Sequence, residues 1–171
     1  MIINASPLII FGKLNRLDIL KKMYKNIKIS NEVYHEVTIK GIEKNLKDAL
    51  IIKESINNHE IDIIKLNKEF SPIAQKIEVI YDIDKGEAET IALALQLKEK
   101  EVIIDEASAR EAVKSINIQP IGSLRVLLLA YKSKFISKAE IKEILNEMEN
   151  SKYRLSPKVL IEFWEILERM K

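Results

Sequence analysis

Val102-Ile103-Ile104-Asp105-Glu106, running on into Ala107-Ser108-Ala109-Arg110-Glu111-Ala112-Val113, decides how this chain folds. Three branched apolar residues in a row read as a buried strand. The run stops at two adjacent carboxylates, and small residues in a helical pattern follow. A buried strand, an acidic turn and a helix form the repeating unit of open α/β sheets. Ligands in such folds bind outside the carboxyl ends of the strands. Asp105 and Glu106 therefore mark the edge on which chemistry is expected.

The alternation of strand and helix extends in both directions. Met1-Ile2-Ile3 reads as a short strand ending at Asn4. Ser6 is a plausible cap for a helix with Pro7 in its first turn, and apolar spacing continues to Leu20 with a break near Gly12 or Asn15. Ile27 to Ile29 reads as a second strand. Ser30 or Asn31 then caps a helix carrying Val33, Tyr34 and Val37, with Glu36 inside it. Leu46 to Ile56 reads as a helix, Ile61 to Leu66 as a third strand and Phe70 to Ile80 as a helix. Gly86 opens a strong helix through Leu95. A fifth strand lies within Ile116 to Ile121, with Pro120 near its end, and Gly122-Ser123 starts the helix Leu124 to Tyr131. Ser137-Lys138-Ala139-Glu140 has the form of a capping box, and Ser156-Pro157 pairs a cap with a first-turn proline. The expected architecture is α/β, with about five mostly parallel strands and added C-terminal helices. One domain over 1–171 is expected, with a core at 1–131 and a helical extension at 137–171.

Size and composition set limits on function. A chain of 171 residues buries roughly 70% of its unfolded surface, enough for a full core. Cysteine is absent, which excludes disulfides, zinc–thiolate sites and thiol catalysis. The formal net charge is only +2, so non-specific coating of nucleic acid is not expected. No basic leader or bilayer-length apolar run is visible, and the expected location is the cytoplasm. No Gly-x-Gly-x-x-Gly or Walker loop supports a nucleotide cofactor.

Asn4, Asp105-Glu106 and Gly122-Ser123 all follow strand ends, while Glu36, Glu87 and Glu89 lie on helices that can begin near the same edge. The result is a set of oxygen donors without histidine or cysteine. Mg²⁺ or Mn²⁺ favours such a set, whereas zinc and copper favour imidazole or thiolate. Two like charges about 4 Å apart repel by ~4 kcal/mol at an effective dielectric near 20. Gathered carboxylates must therefore bind a cation, take up protons or move apart. A bound divalent ion would suit phosphodiester hydrolysis.

In order along the chain, Asn4-Ala5-Ser6-Pro7-Leu8-Ile9, Glu36, Gly86-Glu87-Ala88-Glu89-Thr90-Ile91-Ala92-Leu93-Ala94 and Ile104-Asp105-Glu106 resemble the signatures of PIN-domain proteins. The similarity is to the prokaryotic branch related to VapC-like toxin nucleases of type II toxin–antitoxin pairs, and it runs from Met1 to about Tyr131. The segment from Ser137 to Lys171, with Tyr153-Arg154-Leu155-Ser156-Pro157, resembles that branch's C-terminal helices. The resemblance implies a three-layer α/β/α fold and Mg²⁺- or Mn²⁺-dependent endoribonuclease activity, often on structured RNA such as tRNA. It also implies a homodimer and a small DNA-binding antitoxin. Carried over by motif, Glu36 is the second acidic position, Glu87 or Glu89 the third, with Glu87 preferred, and Asp105 or Glu106 the fourth, with Asp105 taken as the catalytic one. Ser6 matches the hydroxyl residue after the first strand, and Ser123 would support the site. Asn4 departs from the usual aspartate: it keeps a coordinating oxygen and loses a charge. A catalytically weak RNA- or protein-binding module is the alternative.

Each residue also has a plainer reading. Asp105, Glu106, Glu87 and Glu89 are acids that favour a helix's first turn. Glu36 can be a solvated surface residue and Asn4 a turn or cap. His35 and His59 are not expected to be ligands. Lys13, Arg16 and Arg110 are either phosphate contacts or solvated cations. Trp164, with Phe163, Leu160 and Leu167, reads as a packing face.

Overall fold

The computed structural model describes every residue except Lys152, Arg154 and Lys171. The tail motif at Arg154 and the expected domain end at Lys171 therefore lie outside the described residues. Five short strands form one sheet: β1 (Ile2–Ile3), β2 (Ile27–Ser30), β3 (Ile61–Ile64), β4 (Glu101–Ile103) and β5 (Gln119–Ile121). Every pairing is parallel, in the order β3-β2-β1-β4-β5. The chain winds outward from β1 to β3, then returns to the other side of β1. The winding direction thus reverses between β1 and β4, where helices leave to opposite faces and open a crevice.

Alternation along the strands divides the interior in two. Ile3 and Ile103 point into one core, with Leu8, Leu20, Ile52, Val126, Ile144 and Phe163. Ile2, Val102 and Ile104 point into the other, with Ile77, Ile91 and Val113. The helices follow this division: α1 (Ala5–Lys13), α2 (Leu17–Met23), α3 (Asn31–Tyr34), α4 (Gly41–Glu43), α5 (Lys47–Asn57), α6 (Ser71–Tyr81), α7 (Lys85–Gln96), α8 (Ala107–Ser115), α9 (Ser123–Lys132), α10 (Lys138–Asn150) and α11 (Pro157–Arg169). Residues of α6, α7 and α8 fill the second core, and those of α1, α2, α5 and α9 to α11 fill the first. The result is the expected three-layer α/β/α arrangement with a parallel sheet. Among the described residues no helix is long and apolar enough to cross a membrane.

Local differences from the sequence reading have physical causes. Asn4, not Ser6, precedes α1 as its extended cap residue. The helix starts directly off β1, and Pro7 occupies a first-turn position whose N–H would have lacked a helical partner. Lys85, preceded by the cap residue Asp84, rather than Gly86 begins α7. Pro120 sits in the middle of β5, opposite Val102, which an edge strand tolerates because one side makes no ladder bonds. The break after α1 falls at Asn15, which adopts a left-handed φ of 52°.

The helix expected to carry Glu36 has a more unusual course. Ser30 Oγ accepts from Val33 N at 3.2 Å and starts α3. The helix then widens into a π-turn, His35–Lys40, before tightening into α4. Such a bulge inserts a residue without ending the helix. Gly41 closes it against α5, where an added Cβ would come within 2.6 Å of Ala49 Cβ. Gly41→Ala is expected to destabilise the protein by about 1–2 kcal/mol, overpacking outweighing the helix propensity gained. The measurement is the urea midpoint at unchanged m-value.

Candidate functional site

A cavity of about 230 Å³ opens at the carboxyl ends of β1 and β4. Asn4, Ser6, Glu36, Glu87 and Glu106 line it, together with Asp82 and Asp84 from the loop between α6 and α7. Asp82 ends α6 with a left-handed φ of 49°, a conformation that aspartate tolerates better than most residues.

Asn4 is 2% exposed, its backbone N–H donating to Ile103 O at 2.9 Å. Thr90, buried on α7, lies with Oγ1 3.2 Å from Asn4 Oδ1 and 2.8 Å from Gly86 O. Glu87 sits in the first turn of α7, where Oε2 accepts from Asp84 N at 3.0 Å. Gly86 permits the approach of Glu36: Oε2 lies 3.1 Å from where a glycine-86 Cβ would stand. Glu36 and Glu87 thus both stand near the start of α7 and line the same cavity.

The paired acids that the sequence left open take separate positions. Glu89 Oε2 accepts from Glu32 N at 3.1 Å, and Glu32 is clamped by Lys85 at 2.6 Å and Lys40 at 3.8 Å. Glu89 therefore holds the start of the Glu36-bearing helix onto α7 and does not line the cavity. Asp105 Oδ1 accepts from Ser123 N at 2.7 Å, while Oδ2 accepts from Ser123 Oγ at 2.6 Å and Tyr153 Oη at 2.7 Å. It ties the start of α9 and the tail to the end of β4. Glu106, one residue on, is the exposed cap residue of α8 but makes no side-chain capping bond, and its side chain lines the cavity. Ser6 also faces the cavity. Ser123 is fully buried behind Asp105.

Burial, with neighbouring acids adding to it, raises proton affinities in the cavity. Burial raises the pKa of Glu87, and Glu106, Asp84 and Glu36 push it further up against the hydrogen bond from Asp84 N. Burial also raises Glu36, opposed by Lys40 and reinforced by Asp84 and Glu32. Both groups sit where negative charge is unwelcome without a counter-ion.

The donors suit a hard divalent cation in kind, being carboxylates, an amide and a hydroxyl. Among the described residues no three acidic or imidazole groups stand close enough to chelate an ion directly. Mg²⁺ needs less, since it usually keeps several waters and takes one or two carboxylates. Asn4 can join such a set. Thr90 has one hydroxyl proton for two neighbouring acceptors. With that proton on Gly86 O, the Asn4 amide can turn its NH₂ to Thr90 and its oxygen to the cavity.

Other residues fall outside the cavity. Arg110 Nη1 donates to Ile104 O at 3.2 Å. His35 is exposed on the π-turn, and His59 occupies a turn with φ of 58°. Trp164 packs edge-on against Phe163, with centroids 5.7 Å apart. Asp82 and Asp84 were not singled out from the sequence, and Thr90 and Tyr153 stood in the quoted motifs without a role of their own. Asp84 carried a local signal, an acid three residues before Glu87 at a helix start.

A family model described as DUF3368, a PIN domain, matches residues 1–169. No curated protein matches the chain.

Glu36 and Glu87 bind protons more tightly folded than at their ordinary value of 4.5. Their contribution to stability is greatest below that pH and is lost as pH rises through the raised folded values. Without divalent ions, Glu87→Gln, which keeps an acceptor for Asp84 N, should therefore raise Tm at pH 8. The gain should shrink toward pH 4.5, and Mn²⁺ should stabilise the wild type more than the variant in thermal melts.

Proposed function

The chain belongs to the PIN-domain family, and on that premise we propose that it is a metal-dependent endoribonuclease of the toxin type. PIN domains are generally nucleases that depend on a divalent metal. One observation carries the reading for this chain: Asn4, Glu36, Glu87 and Glu106 converge on one cavity at the point where the sheet reverses its winding. Glu36 and Glu87, with raised proton affinities, are groups whose charge a cation would complete. Asn4 would add a neutral oxygen, and Glu106 the fourth acidic position. Bound there, Mg²⁺ or Mn²⁺ would lower the pKa of a water and stabilise charge on a phosphoryl oxygen. Ser6 would orient a water or a phosphate oxygen at the rim. Asp105, Glu89 and Ser123 act through position: Asp105 and Ser123 fix the turn before Glu106, and Glu89 fixes the helix of Glu36.

The toxin-like branch is supported by the order of the motifs and the tail pattern. It brings structured RNA such as tRNA as substrate, a small DNA-binding antitoxin and a homodimer as partners, and the cytoplasm as location. The neutral side chain of Asn4 favours a second reading, an RNA- or protein-binding module with weak or no catalysis. Cleavage separates the two. In Mn²⁺ the protein should cut a total tRNA pool, and Glu36→Gln and Glu106→Gln should each reduce the rate about a hundredfold or more. Asn4→Asp should preserve or raise it. Equal cleavage in EDTA removes the metal-dependent mechanism, and RNA affinity without cleavage selects the binding module.

A further inference from the structure

We propose that a groove beside the acidic cavity seats an unpaired nucleotide adjoining the scissile phosphodiester. The proposal rests on the ribonuclease reading. The groove encloses about 430 Å³ and shares Ser6 and Glu106 with the acidic cavity as a common lip. The acidic cavity is about half that size and lined mainly by oxygen-bearing side chains. It suits a phosphate and a hydrated ion, and leaves base and sugar to lie elsewhere. A strand whose phosphate occupies the cavity enters the groove across that lip.

The groove's walls differ in chemistry from the cavity's. Ile9, Ile10 and Lys13 of α1 line it with Ser6, a stripe at helical spacing that climbs about 10 Å along the axis. Lys13 is the exposed last residue of α1 and has no ion-pair partner among the described residues. Tyr153 also lines the groove, with Ser151. The tyrosine hydroxyl donates to Asp105 Oδ2 at 2.7 Å, which pins the ring before any ligand arrives. Asp105 itself lines the groove, and Ser123 supplies it with two further donors, so three hydrogen bonds already satisfy that carboxylate. An aliphatic floor, a fixed aromatic ring and a free cation make the pattern that holds a base and its phosphate in single strands. A base must leave its stack to reach such a recess, so loops and unpaired ends are favoured over duplex.

The test is fluorescence anisotropy of a short labelled single-stranded RNA across a salt series. Ca²⁺ is present to offer the acidic cavity a charge. Lys13→Ala should weaken binding and reduce the slope of log Kd against log salt by about 0.7, the share of one single-strand phosphate contact. Lys76→Ala, an exposed charge on α6, should leave the slope unchanged. The same RNA annealed to its complement should bind more weakly. An unchanged slope for Lys13→Ala, equal effects of the two lysines, equal binding of the duplex or no binding by the wild type overturns the groove. Cleavage of the same RNA in Mn²⁺ is scored separately. Cutting with an unchanged Lys13 slope retains the nuclease and discards the groove. A reduced slope without cutting discards the nuclease and leaves a single-strand-binding groove.

Discussion

Two isoleucines hold the centre of this fold. Ile2 and Ile3 form a strand too short to stand alone, yet β1 pairs with β2 on one side and β4 on the other. Both side chains are wholly buried, one in each core. Because the chain fills one side of β1 before the other, the reversal of winding falls beside it. Asn4 emerges from β1, and Asp105 and Glu106 follow the end of the adjoining β4. The convergence of polar groups is a result of strand order, and the adjacent helices supply the rest.

Holding acids together sets a second constraint. The protein keeps Glu36 and Glu87 on one cavity, where burial first and neighbouring acids second raise both proton affinities. It holds them by other bonds: Asp84 N on Glu87, and the contacts of Glu89 and Lys85 with Glu32 that dock the Glu36 helix onto α7. Stability spent on keeping like charges near one another is a common mark of sites built for a charged ligand. Gly86 takes part by having no side chain, which leaves room for the Glu36 carboxylate.

The centre of the sheet was legible because β1 and β4 carry consecutive buried Ile and Val residues, as burial on both faces demands, while the outer strands showed as Ile-containing segments between turn residues. The division of labour within acidic pairs was not. Glu87 and Glu89 differ by about 200° around a helix, and the phase of α7 depends on a cap at Asp84. Asp105 and Glu106 leave the strand in different directions. Which of them faces the cavity is settled by Ser123 and Tyr153, which lie 18 and 48 positions further along. Local pattern holds no record of bonds that distant. The π-turn at His35–Lys40 was equally hidden, since one extra residue in a helix leaves its apolar spacing nearly intact.

The central place of β1 also bears on the order of assembly. During synthesis β1 can meet β2 early, but its other edge stays open until β4 has been made. Asn4 and Glu106 belong to opposite ends of that long closure, and parallel pairings of this kind are slow to form. The cavity therefore comes into being late, after most of the chain has left the ribosome. A nascent fragment ending before β4 carries Asn4, Glu36 and Glu87 without the fourth wall, so premature release leaves a piece that cannot complete the pocket.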